Sequence, residues 1–93
     1  MAIGHVDTFD ASSPWQLSPQ VSLRDETFGA LAYHHGNRRL VFLKSPELVT
    51  LVRRLAEFES ADAAIDEVVS SAQRERYVRA LASLERSEIL SGR

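Results

Sequence analysis

The hydrophobic period of this chain of 93 residues changes once, at Ser45-Pro46. Before that point apolar residues recur at every second position. After it they recur three or four apart. A period of two belongs to a strand with one buried face, and a period near 3.6 belongs to a helix. Strands gathered before helices predict an α+β fold, with the helices on one face of an antiparallel sheet. The switch point carries its own signal, since Ser45 suits a helix N-cap and Pro46 the first helical position.

In the strand half, Trp15, Leu17, Pro19, Val21 and Leu23 alternate. Pro14 and Pro19 lack an amide donor and fit a strand start or edge, so the pairing part is placed at Gln20 to Arg24. Asp25, Glu26 and Thr27 read as a turn. Phe28 to His35 forms the second strand, with Phe28, Ala30, Ala32 and His34 on one face and Gly29, Leu31, Tyr33 and His35 on the other. Gly36-Asn37 marks a hairpin. The third strand, Arg39 to Lys44, contains Leu40, Val41, Phe42 and Leu43 without alternation. Such a run is covered on both faces, or has one face waiting for a partner.

In the helical half, Leu48, Leu51, Val52, Leu55 and Phe58 line the first helix. Ser60 caps a second, with Ala61, Ala64 or Ile65, Val68, Val69 and Ala72 inward. Ser70 or Ser71 caps a third, which groups Tyr77, Val78, Leu81 and Leu84 opposite Arg76, Arg79, Ser83 and Arg86. Ile89 and Leu90 return to the core. Residues 1–13 show no periodicity and read as a mobile tail before a single domain at 14–93. The last two helices can form a helix-turn-helix pair, which beside a small sheet describes a winged-helix-like domain with a three-stranded antiparallel sheet followed by three helices.

Composition narrows the chemistry. The absence of cysteine excludes disulfides, thiolate metal sites, iron–sulfur ligation and cysteine nucleophiles. Eleven basic against thirteen acidic residues leave a net charge of −2, without the basic excess of a protein built to grip nucleic acid. No secretory signal and no run of roughly 18 apolar residues is present, so the reading is a soluble cytoplasmic protein without a membrane partner. No Gly-x-Ser-x-Gly elbow or Gly-rich phosphate loop occurs. His34 and His35 point to opposite faces of a strand and cannot easily share a metal, and His5 lies in the tail. Asp25-Glu26 and Asp66-Glu67 read as solvated charge rather than an acid–base pair. No catalytic residue, cofactor or metal is expected. Arg74, Arg76, Arg79 and Arg86 would face phosphate if the third helix read DNA, but Glu75, Glu85 and Glu88 are interleaved with them. A small DNA-binding winged helix is the alternative reading.

The third strand ranks above these. As the last strand of a meander it is an edge, whose free amide and carbonyl groups an extended peptide can satisfy by adding a strand. Arg38, Arg39 and Lys44 would favour an acidic peptide. Val41→Pro is expected to obstruct such an edge. The competing readings are that all four apolar residues are core, or that the edge mediates dimerisation, as a paired or swapped dimer in place of a monomer.

The residues Trp15-x-Leu17-x-Pro19-x-Val21-Ser22-Leu23-Arg24, Glu26-x-Phe28-Gly29-Ala30-Leu31-x-Tyr33-His34 and Arg39-Leu40-x-Phe42-Leu43-Lys44 resemble the peptide chaperones of mycofactocin biosynthesis, a branch of the PqqD-like recognition elements for ribosomally made, modified peptides. The likeness spans residues 15–90 and is most specific in the strand half. Where the wider family often has Asn after the third strand and Asp-Gly after the first helix, this chain has Lys44 and Glu59-Ser60. The resemblance implies a non-catalytic protein that binds the acidic leader of a precursor peptide as an added strand. It implies delivery of that peptide to a radical S-adenosylmethionine maturase, which acts on a C-terminal Val-Tyr to give a redox cofactor and owns the clusters and the S-adenosylmethionine. Mapped onto this chain, the implied peptide contacts are Arg39, Leu40, Val41, Phe42, Leu43 and Lys44, with Tyr77, Leu81 and Leu84 as the helix wall.

Overall fold

The computed structural model describes residues 9–93. Strands β2 (Val21–Glu26), β3 (Gly29–His34) and β4 (Leu40–Leu43) form an antiparallel meander in the order β2-β3-β4. Helix α1 (Pro46–Arg54) runs on into a 3-10 turn at Leu55–Glu57, α2 (Ala61–Val68) follows, and a second 3-10 turn at Ser71–Gln73 leads into α3 (Arg74–Arg86). The α+β, winged-helix-like order read from the hydrophobic period is the order observed.

A second sheet joins the two ends of the described chain. β1 (Trp15–Leu17) pairs with β5 (Leu90–Gly92), placing Trp15 opposite Gly92 and Leu17 opposite Leu90. Trp15 and Leu17 belong to the period-two run, but a three-residue strand does not reveal its partner and the pairing is non-local, so the sequence pattern does not announce this sheet.

Alternation along β3 decides where the core lies. Ala30, Ala32 and His34 are buried on the inner face, while Leu31 and Tyr33 face outward. The two alanines are small enough for α1 to pack closely over the sheet, and Leu43, Leu51, Leu55, Ile65, Leu81 and Ile89 close the interior around them. Dense packing of this kind leaves little tolerance for volume changes.

Both hairpin turns differ from the sequence reading. β2 continues through Asp25 and Glu26, because Glu26 pairs with Gly29, so the turn is Thr27-Phe28. At the second turn Gly36-Asn37 does not supply the left-handed residue; Arg38 does, at φ 66°. The buried His34 ring organises this turn, its Nδ1 accepting from the amides of Gly36 and Asn37 at 3.0 Å each. Asn37 Oδ1 accepts from the Arg39 amide at 2.9 Å. Side chains that bond nearby amides replace an intrinsic turn preference here.

Ser45 and Ser60 cap α1 and α2 as their sequence positions suggest, accepting from the amides of Leu48 and Ala63. Neither Ser70 nor Ser71 caps α3; the 3-10 turn carries the chain into that helix without a side-chain cap.

Residues 9–13, placed in the tail by their lack of periodicity, make defined contacts. Phe9 stacks on Trp15 with ring centroids 5.0 Å apart, and Trp15 Nε1 donates to the Asp10 carbonyl at 2.8 Å. The Asp10 carboxylate accepts from the Ser12 hydroxyl and amide and the Ser13 hydroxyl, which hold its pKa below the ordinary carboxylate value. The carbonyls of Ser13 and Ala11 accept from the amides of Ala61 and Asp62, two of the otherwise orphaned donors at the start of α2. The remainder of the expected tail, residues 1–8 with His5, lies outside the described residues.

Candidate functional site

Among the described residues, β4 has β3 on one side and no strand on the other. Which of its backbone groups are free follows from the register. The His34 amide donates to the Arg39 carbonyl at 2.9 Å, and Ala32 lies opposite Val41 with Ala30 opposite Leu43. In an antiparallel pair, hydrogen-bonded and non-bonded positions alternate. Val41 and Leu43 therefore turn their N–H and C=O towards β3. Leu40 and Phe42 turn theirs towards the open edge. The sequence expectation for Val41→Pro needs correcting on this point: the Val41 amide belongs to the sheet interior, so proline there breaks the meander instead of blocking its edge.

The same two residues expose their side chains. Leu40 is 55% and Phe42 54% exposed, whereas Leu43 is fully buried and Val41 half-buried. The unbroken apolar run thus splits by face, with one half core and the other open to solvent. Arg39 and Lys44 bracket the strand, both exposed.

The expected helix wall is divided. Leu81 and Leu84 are buried in the core and do not reach the surface. Tyr77 is also buried, but its hydroxyl reaches Ser45 Oγ at 2.9 Å. The accessible part of α3 beside the end of β4 is Arg76 and Ala80. With Lys44, Ser45, Leu48 and Tyr77 they line a shallow cavity of about 130 Å³. The Arg76 guanidinium lies over the Tyr77 ring, 5.8 Å from its centroid. Sequence reasoning named Arg76 on the solvated face and as a phosphate contact in the DNA reading, and did not name Ala80. The available signal was a small residue four positions after an arginine at the border of the apolar stripe, where a helix can be approached closely.

Ser45 joins the parts of this site. Its Oγ accepts from the Leu48 amide at 3.0 Å while bonded to Tyr77, so one hydroxyl ties the end of β4 to α1 and α3. Ser45→Ala is expected to lower stability by about 1–2 kcal/mol, read as a fall in the thermal unfolding midpoint. An unchanged midpoint would refute its capping role.

Charge is distributed unevenly. Arg24 pairs with Glu26, Arg53 with Asp25, Arg54 with Glu57, and Arg79 with Glu75, while Arg74 binds both Asp62 and Asp66. Among the described residues Arg38, Arg39, Lys44 and Arg76 have no carboxylate within ion-pair distance. Four cations without a carboxylate partner thus lie along β4 and its cavity, on a molecule whose net charge is −2, while Arg93, also without one, donates to the Phe58 carbonyl. Arg74 and Arg79, which a DNA-reading helix would present to phosphate, are already occupied by carboxylates, so the DNA reading finds no support. A broader depression lined by Ala11, Asp62, Arg74 and Val78 is spanned by the Arg74–Asp62 pair, which satisfies its charges internally.

The carboxylate pairs and histidines have structural roles. Asp25, Glu26 and Asp66 sit in the surface ion pairs above, and His35 Nε2 meets Ser22 Oγ at 2.7 Å on the face opposite His34. Among the described residues no cluster of three potential metal ligands occurs, and no helix is long and apolar enough to cross a membrane.

Comparison with known proteins places the chain in a family. The chain is 42% identical over 84 residues to the peptide chaperone MftB of Mycolicibacterium smegmatis, covering 89% of this chain and 82% of that protein. It is 39% identical over 83 residues to the peptide chaperone MftB of Mycobacterium tuberculosis, covering 88% of this chain and 76% of that one. Among solved structures, a lasso peptide synthetase B1 complexed with the leader peptide shares the fold, with a TM-score of 0.64 at 19% identity over 85% of this chain and 99% of that one. A profile of the peptide chaperone MftB family matches residues 14–91. With that span and those identities, this chain belongs to the MftB family of peptide chaperones.

Proposed function

We propose that this protein is a non-catalytic chaperone that captures the leader of a ribosomally made precursor peptide as a fourth strand along β4. The observation that carries this reading is the coincidence, at Leu40 and Phe42, of open backbone hydrogen-bonding groups with exposed apolar side chains. An unprotected edge of this kind is a hazard in a protein that has no use for it. The unpaired Arg38, Arg39, Lys44 and Arg76 beside it suit an acidic leader and would accelerate encounter. That a protein of the same fold is found complexed with a leader peptide supports peptide capture by this fold. The contact set in this reading is Arg39, Leu40, Phe42 and Lys44 on the strand, with Arg76, Tyr77 and Ala80 on α3. Val41, Leu43, Leu81 and Leu84 hold those residues in place from behind.

The chain presents its cargo to a maturase of the radical S-adenosylmethionine class, which supplies the chemistry, and acts as a cytoplasmic monomer. Titration with an acidic leader peptide, followed by amide NMR, tests the binding site. The amides of Leu40, Phe42, Arg76 and Ala80 are expected to shift most. Shifts confined to α2 would refute the groove.

A further inference from the structure

An open edge with exposed apolar side chains accepts strands indiscriminately, and the strand always at hand is that of a second copy of the chain. β4 lacks the usual defences along its length. It contains neither proline nor charge, and Leu40 and Phe42 are each more than half exposed. Phe28 widens the apolar surface by packing edge-on against Phe42, with ring centroids 5.8 Å apart.

The register dictates how two copies would meet. Within β4, Leu40 and Phe42 carry the open N–H and C=O groups. One antiparallel register joins both to open residues of the other copy. Leu40 then faces Phe42, Val41 faces Val41 across a two-fold axis, and Phe42 faces Leu40. This arrangement gains two apolar cross-strand pairs. Counted outward from the axis, it also sets Lys44 of each copy level with Arg38 of the other and beside its Arg39. All three cations are exposed, and none has a carboxylate within ion-pair distance. Glu88 reaches that turn through Asn37 Nδ2, at 3.5 Å, and not through Arg38.

We propose that Arg38, Arg39 and Lys44 bar β4 from pairing with its own copy, so that the open edge is kept for a strand bearing carboxylates. Like charges set opposite one another on neighbouring strands are destabilising, and here they meet at both ends of the pairing. Sliding by two residues avoids them only by giving up a pair, since Leu40 alone then meets Leu40, or Phe42 alone meets Phe42. The cations thus act against one partner as well as for another, which is how an otherwise permissive surface becomes selective. The inference shares the open edge with the strand-addition reading but needs no ligand for its test, so the two can fail separately.

Charge reversal tests both the barrier and the register. Lys44→Glu turns both ends of the pairing from repulsive to attractive. A triple variant, Arg38→Glu, Arg39→Glu and Lys44→Glu, makes them like-charged again with the opposite sign. Association is measured by analytical ultracentrifugation at low salt, where exposed charges are least screened. Wild type and triple variant are each expected to stay monomeric, and Lys44→Glu to associate at least about tenfold more strongly than either. An equimolar mixture of wild type and triple variant is expected to pair where each alone does not. The Leu40 and Phe42 amides should shift with concentration in the Lys44→Glu protein, and its thermal midpoint should stay close to that of the wild type. Three results overturn the proposal: a wild type that already dimerises through these amides, a Lys44→Glu protein no more associated than the wild type, or association that leaves the two amides unmoved. If the triple variant does not fold, Lys44→Glu decides alone.

Discussion

Gly29→Ala is expected to lower the thermal unfolding midpoint by at least about 10 °C, corresponding to a loss of roughly 2–3 kcal/mol. Two effects add. The residue sits at φ 149°, a region that side chains rarely enter and that glycine enters freely. A Cβ built there would lie 2.0 Å from the Leu43 carbonyl oxygen and 3.1 Å from its carbonyl carbon. Both contacts are backbone, so no flexible side chain can yield. Leu43 is the buried end of β4, and the simplest relief moves that strand off β3. The substitution should therefore damage the binding edge together with the fold, and scanning calorimetry with a peptide titration would register both. A midpoint within a degree or two of the wild type would mean that the hairpin absorbs the methyl group, and the close approach of β3 to β4 would lose its significance.

The second large effect concerns the edge alone. Phe42→Pro is expected to weaken leader binding about a hundredfold, close to 3 kcal/mol, while the protein stays folded. Proline is tolerated at an edge position whose N–H faces away from the sheet, so the meander keeps its bonds. The ligand, however, loses a donor and meets a ring where its carbonyl should sit. Phe42→Ser separates the backbone effect from the side-chain effect, since it removes the same ring and keeps the amide. The proline variant should bind more weakly than the serine variant. Equal affinities would show that the ligand does not use the edge amide. Val41→Pro, by contrast, should lower stability before it affects binding, because the Val41 amide is paired with Ala32 by the register.

Much of this molecule was legible from residue periods. The switch at Ser45-Pro46 placed the sheet before the helices. Ser45 and Ser60 marked two helix starts correctly because an N-cap is a local event, one hydroxyl bonding an amide three residues on. The division of β3 into two faces followed from alternation, but which face is buried did not. The pairing of β1 with β5 did not, since it joins short segments at opposite ends of the chain. Nor did the capping of α3, where a 3-10 turn took the place of a serine side chain.

The site divides along the same line. Composition and charge order already pointed to an apolar edge strand flanked by Arg38, Arg39 and Lys44, and a helical wheel grouped Tyr77, Leu81 and Leu84 on one side of a helix. A wheel shows that residues share a face and leaves open what covers that face. Only packing into the common core, with α2 and β5 against α3, buried Leu81 and Leu84 and left Arg76 and Ala80 beside the strand. Likewise, the run from Leu40 to Leu43 does not reveal which amides are free. That parity is set by the hairpin register, and the register is set where the buried His34 ring holds the turn and Arg38 takes the left-handed conformation. The sequence by itself determined the order of elements and the existence of an apolar, cation-flanked edge, because period and charge are local properties of the chain. The tertiary structure decided which backbone groups and which face of that edge meet a ligand, because burial and register depend on residues far apart in the chain.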